Sequence, residues 1–204
     1  MGAPWTPRWP LALAAAAALS AAAAGPWSRA EMEARAAMGP VQRLLGPVAS
    51  AAASVEWTRY MLALDRGDTA RAYGHAARAL SLDSRAAAGW LTLADHFVFI
   101  RASPLEEPDA RVRRRWIREG FAVLRSGERH CATPEVLARY AATLRSAYLA
   151  ALPEERLEWP GGPGALLDAA QRDLERAAGL GATELERDLA FIEERRADLT
   201  QQGR

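Results

Sequence analysis

The interval that decides the fold, residues 67–97, reads GDTARAYGHAARALSLDSRAAAGWLTLADHF. Gly67 and Asp68 form a turn signal, and a second break follows Leu82. Between and after these breaks, small or apolar residues recur every three or four positions, which places them on one face of an α-helix. The interval therefore predicts two amphipathic helices separated by a short turn.

This interval resembles the tetratricopeptide repeat, a family built from paired helices. The positions that carry the resemblance are Gly67-Asp68 in the turn, then Ala72, Ala76 and Ala79 on the second helix of one repeat, then Trp90, Leu93, Ala94 and Phe97 on the first helix of the next. Ser84 stands where the family usually has Pro. The resemblance implies an all-α fold in which antiparallel helix pairs stack as a short α-solenoid.

The same pattern recurs twice further along the chain. Gly120, Leu124 and Gly127 repeat the register of the first alanine set, as do Ala170, Leu174 and Ala177, while Leu137, Tyr140, Ala141 and Leu144 repeat that of the Trp90 set. Two insertions, RASPLEEPD (101–109) and LPEERLEWPGGPG (152–164), fall between the helices of their units. An irregular helical bundle remains the alternative, because frequent Ala makes small-residue matches easy to obtain.

Caps, glycines and prolines set the expected boundaries. We expect helices over residues 28–38, 48–66, 69–82, 84–101, 109–126, 134–152, 164–178 and 183–199, with Gly127 as a stop signal. The expected domains are a targeting segment (1–28), a linker helix (29–49), a helical-repeat domain (50–182) and a C-terminal capping helix with its tail (183–204).

The N-terminal segment is uncharged from Trp9 to Ser28, a length that spans a bilayer as a helix. It is interpreted as a membrane anchor flanked by Trp9 and Trp27, or as a signal peptide cleaved near Gly25 after an Ala-x-Ala site. The third interpretation of this segment is a soluble Ala-rich tail. The first two predict a cell-envelope protein of bacteria. Its folded part would be anchored by a single pass on the outer side of the inner membrane, or secreted.

The composition excludes several classes of function. The formal net charge of +1 is not that of a typical nucleic-acid binder, and 50% hydrophobic residues is too many for a disordered chain. One cysteine permits no intrachain disulfide. No phosphate-binding, nucleophile or zinc motif is present, so no catalytic residue, metal, cofactor or small-molecule substrate is predicted, and the protein is not expected to be an enzyme.

The resemblance implies a ligand groove lined by the first helices of the repeats. The positions that the family uses in this groove are Trp57, Thr58, Met61, Leu64, Leu91, Thr92, Asp95, Val98, Phe99, Ala138, Arg139, Ala142 and Arg145. Thr92, Asp95, Arg139 and Arg145 are the candidate partner-binding residues, and the two arginines favour an acidic partner. Lys and Asn, which the family uses to clamp a peptide carboxylate, are absent from the chain. The expected function is a scaffold or adaptor that binds another protein. The alternative is a structural subunit of a larger membrane complex.

A basic stripe is predicted on the helix that follows the first insertion. It comprises Arg111, Arg114, Arg115 and Arg118, opposite a face that carries Trp116, Ile117 and Phe121. It is either a solvated surface or a patch for anionic lipid headgroups or an acidic partner.

Overall fold

The computed structural model describes residues 46–151 and 159–202, and within those ranges it contains only helices. They are α1 (Pro47–Asp65), α2 (Thr69–Leu82), α3 (Ala87–Asp95, continuing as a π-helical turn His96–Arg101), α4 (Ala110–Glu128), α5 (Pro134–Ala151), α6 (Gly162–Gly179) and α7 (Glu186–Gln202). The all-α prediction is confirmed. The expected helix over 28–38 and the targeting segment lie outside the described residues. No helix in the described ranges is long and apolar enough to cross a membrane.

The helices pack as consecutive pairs. α1 lies against α2, α3 against α4 and α5 against α6, and α7 covers the last pair. Three apolar clusters hold the stack together: the first joins α1, α2 and α3, the second joins α3, α4 and α5 with Leu166 of α6, and the third joins α5, α6 and α7. Each cluster thus connects a pair to its neighbour along the chain. This packing is consistent with a helical solenoid.

The small residues expected at the helix contacts are buried. Ala72, Ala76 and Ala79 on α2, Gly120, Leu124 and Gly127 on α4, and Ala170, Leu174 and Ala177 on α6 all lie in the interior. Trp90, Leu93 and Ala94 on α3 are also buried, and Phe97 is partly so. The small residues predicted at the helix contacts are therefore buried in all three pairs.

Two glycines of α4 are required by its close approach to α3. A Cβ at Gly120 would lie 2.6 Å from Val98 Cγ2, and one at Gly127 would lie 2.7 Å from Trp90 Cγ. The expectation that Gly127 ends the helix was wrong, because α4 continues to Glu128 and Gly127 is buried in its last turn. Since the later glycine meets the earlier residue of α3, the two helices are antiparallel.

A carboxylate on α1 fixes the first pair. Glu56 accepts hydrogen bonds from Arg59 (2.6 Å) and Arg78 (2.8 Å), and His75 Nδ1 lies 2.7 Å from its Oε2. The bonds from His75, then from Arg78, lower the pKa of Glu56 to about 2. Because His75 and Arg78 belong to α2, this carboxylate links the two helices in addition to their apolar contacts.

Candidate binding cleft between helices α1 and α3

The last turn of α3 departs from α-helical geometry. Residues His96–Arg101 form a π-helix, and the N–H of Ala102 donates to the carbonyl of Phe97, five residues earlier, at 3.0 Å. Val98 and Ala102 remain buried in the core, whereas Phe99 and Ile100 are exposed. π-helical turns are frequent at functional sites. Here the turn presents two large apolar side chains at the surface.

A cleft of about 580 Å³ lies between this turn and α1. Its apolar lining comprises Met61, Leu64, Phe99 and Ile100, and Met61 and Ile100 are 52% and 51% exposed. Scattered apolar residues on a surface are ordinary, but a concave apolar lining with a few polar groups is typical of a binding site. Thr92 and Asp95, both predicted as partner-binding residues, also line the cleft, as do the predicted groove residues Met61, Leu64 and Phe99.

The charged groups around the cleft are mostly acidic. Asp65, Asp95 and Glu106 contribute carboxylates, and Arg101 contributes the one guanidinium of the lining. Arg101 lies 3.7 Å from Glu106 and stacks over the ring of Trp116 at 5.0 Å. Burial lowers the pKa of His96, so this side chain is neutral at pH 7. The predicted candidates did not include Arg101 and Glu106, because they belong to the first insertion and its edge rather than to the helical pattern.

Asp95 also has a structural partner. The Tyr140 hydroxyl on α5 lies 2.8 and 2.7 Å from its two carboxylate oxygens, and burial, followed by the contact with Asp95, raises the pKa of Tyr140. The Thr92 hydroxyl donates to the carbonyl of Ala88 at 2.9 Å. Asp95 therefore lines the cleft while joining α3 to α5, whereas the hydroxyl proton of Thr92 is used within α3.

The two arginines predicted beside them lie elsewhere. Arg139 Nε donates to Asp188 of α7 at 2.7 Å. Arg145 is buried, donates to Asp173 of α6 at 2.6 Å and stacks over Phe121 at 3.8 Å. The expectation that Arg145 lies on an open groove was wrong, because a carboxylate 28 residues later in the chain draws its guanidinium into the interior.

The surface of α5 is further covered by α7. A smaller cleft of about 350 Å³ remains between them, lined by Ala142, Thr143 and Phe191 and by one charge of each sign, Arg187 and Asp188. Its charges balance, unlike those of the cleft between α1 and α3. The two clefts thus differ in volume and in charge.

The predicted basic stripe lies on α4 and is longer than expected. Arg111, Arg115 and Arg118 are exposed, and Arg114 is half-buried. Arg125 and the C-cap Arg129 are exposed as well, and the six arginines fall within an arc of about 100° when each residue advances the helix by roughly 100°. None of them forms an ion pair with a described residue. We name these six residues the basic ridge.

No cluster of three or more metal-ligating side chains exists in the described ranges. Cys131 is partly buried, and its Sγ lies 3.1 Å from the carbonyl of Arg85. This contact joins the residues that follow α4 to those that precede α3. No family model, curated protein or solved structure matches this chain. The function must therefore be inferred from the cleft and the ridge themselves.

Proposed function

We propose that the protein is a non-catalytic docking module that binds a segment of another protein in the cleft between α1 and α3. The observation that carries the proposal is the concave apolar lining around Met61, Phe99 and Ile100, which is exposed in the isolated chain. Burial of such side chains by a partner removes apolar area from water and supplies affinity. The carboxylates around it fix the orientation of the partner.

The proposal includes the tetratricopeptide-like arrangement and the compartment. Paired helices with buried small residues at the same register support a repeat, and the first helices of two consecutive pairs form the cleft, as a repeat groove requires. The uncharged segment at residues 9–28 supports a module that is anchored in, or exported across, the bacterial inner membrane. The basic ridge supplies a second surface, for anionic lipid headgroups or an acidic partner.

A structural subunit of a larger complex is the second candidate, and α1 favours it. Val48, Val55 and Leu62 are spaced seven residues apart on α1 and are 64%, 51% and 46% exposed. An apolar row of this kind is typical of a helix that packs against another helix. Full-length protein in mild detergent separates the two candidates by sedimentation. A docking module stays monomeric, whereas a structural subunit self-associates and becomes monomeric when Val55→Ser and Leu62→Ser are introduced.

Site-specific photocrosslinking in the producing cells tests the docking proposal. A photoreactive residue replaces Met61 in the cleft or, as a control, Leu189, an apolar residue of α7 that is 37% exposed. We expect one recurrent protein partner to be crosslinked from position 61 and not from position 189. Equal crosslinking from both positions, or none from position 61, would contradict a docking site in the cleft.

A further inference from the structure

The cleft between α1 and α3 has an unbalanced charge that the chain itself does not neutralise. Asp65 has no ion-pair partner among the described residues, and Glu106 has only the 3.7 Å contact to Arg101. Both oxygens of Asp95 face a neutral hydroxyl, that of Tyr140. Three carboxylates therefore face one guanidinium, and the neighbouring His96 adds no positive charge at neutral pH.

From this imbalance we infer that the occupant of the cleft is a short cationic protein segment with an apolar anchor side chain. The inference rests on the proposed docking function and specifies its partner. The inferred partner is cationic, whereas the sequence predicts an acidic partner from the arginines of α5. Arg139 and Arg145 do not support the acidic partner, because they are paired with Asp188 and Asp173 of the chain itself.

The cleft offers a separate place for each part of such a segment. An apolar anchor fits between Met61 and Leu64 of α1 and Phe99 and Ile100 of the π-helical turn. Arg or Lys side chains beside the anchor meet the carboxylates of Asp65 and Glu106, which are exposed. An acidic segment would meet three carboxylates of like charge, which disfavours it.

The floor of the cleft contains a second sign of an occupant. Tyr60 is 1% exposed, yet its hydroxyl has no hydrogen-bond partner among the described residues, and Arg101 Nε is likewise buried without one. Buried polar groups are nearly always paired. Both residues belong to the lining, so a segment that brings a backbone carbonyl to this floor, with a small adjustment of the side chains, satisfies either donor.

Selection from a random peptide display library on the full-length protein tests the inference. We expect the enriched peptides to combine Arg or Lys with a large apolar residue and to bind less tightly as the salt concentration rises to about 0.5 M. Their affinity should fall at least about tenfold for Asp65→Asn/Glu106→Gln. The control Glu193→Gln/Glu194→Gln makes the same change of charge at exposed positions of α7 and should leave the affinity unchanged.

Each other outcome overturns a defined part of the account. Enrichment of acidic or neutral peptides that lose binding in Met61→Ser/Phe99→Ser refutes the cationic occupant and leaves docking in the cleft intact. If the affinity of the peptides is unchanged in both cleft variants, the cleft is refuted as the binding site. A library that yields no peptide refutes the cationic segment, while the crosslinking experiment still decides the docking function. The protein could also self-associate, with Asp65→Asn/Glu106→Gln abolishing the association. That outcome refutes a foreign partner, because the occupant of the cleft would then be the basic ridge of a second copy.

Discussion

The two ends of the helix stack treat their charged side chains in opposite ways. Between α1 and α3 the carboxylates of Asp65 and Glu106 remain exposed. On α5 the two arginines are neutralised by the chain itself, Arg139 by Asp188 and Arg145 by Asp173. The difference shows that the sequence of one helix does not decide whether its charges stay available, because acids on later helices can pair with them. We call helices α1 to α3 the open half and helices α5 to α7 the closed half.

The largest effect is expected at the junction of the two halves. Trp90 is 8% exposed, packs in the cluster that joins α3, α4 and α5, and donates from its indole to the carbonyl of Ser84 at 2.8 Å. Trp90→Ala should lower the free energy of unfolding by about 3–5 kcal/mol, the range for a large-to-small change in a core. Urea denaturation followed by circular dichroism measures it. A loss below about 1 kcal/mol would show that Trp90 does not belong to the core.

The second largest effect on stability is expected in the closed half, where Arg145 is buried. Arg145→Ala leaves Asp173 buried without its closest partner and removes the guanidinium from the face of Phe121. We expect a loss of about 3 kcal/mol, at the low end for a broken buried pair, because Arg176 still contacts Asp173 at 2.8 Å. Arg139→Ala is the matched control, since its pair with Asp188 is partly exposed and is worth at most about 1 kcal/mol. Equal losses in urea denaturation would show that Arg145 is not enclosed.

A pH effect is expected in the open half. The pKa of Glu56 is lowered to about 2 by its bonds to His75 and Arg78, from an ordinary value of 4.5. A lowered carboxyl pKa stabilises the fold above the unfolded value, and this contribution is lost as the pH falls from 4.5 towards 2. Glu56→Gln should therefore flatten the decline of stability in that range, as measured by thermal melts at successive pH values. An unchanged slope would show that Glu56 does not link α1 to α2.

The smallest effect on stability is expected at the basic ridge. Arg115→Glu/Arg118→Glu changes two exposed residues without described ion pairs, so the free energy of unfolding should shift by no more than about 0.5 kcal/mol. Binding to liposomes that contain anionic lipid should nevertheless be lost, and wild-type binding should weaken with salt. Identical liposome binding by the wild type and the variant would refute a lipid-binding role for the ridge.

The helices and their contact faces could be predicted because they depend on local sequence. Spacing of small residues and the Gly67-Asp68 turn specified α2 and the helix after it, and the start predicted at Ser84 differs from the observed Ala87 by one turn. The π-helical turn could not be predicted, because the segment HFVFIR has the composition of an ordinary helix and carries no local signal for π-helical geometry. The sequence predicts that Gly127 ends the helix, yet a glycine is required there because the backbone of α4 approaches Trp90 closely.

The site was harder to predict than the fold, because its charges depend on distant partners. Thr92 and Asp95 line the cleft with Met61 of α1, and the spacing of the first two along α3 is enough to predict that they share one helical face. The burial of Arg145 could not be predicted, because Asp173 lies on another helix and no local pattern joins the two residues. The near-neutral net charge of +1 also concealed an acidic cleft and a basic ridge. The distribution of charge therefore has to be determined from the folded structure rather than from the composition.

The most direct test of the account is hydrogen exchange of the full-length protein, measured by mass spectrometry with and without the tightest-binding basic peptide. If the open half is the docking site, added protection appears in residues 57–69 of α1 and its turn and in residues 92–106 of α3 and the first insertion. Residues 134–151 and 186–202, the closed half, exchange as before. Protection confined to α5 and α7, with none at the π-helical turn, would contradict it.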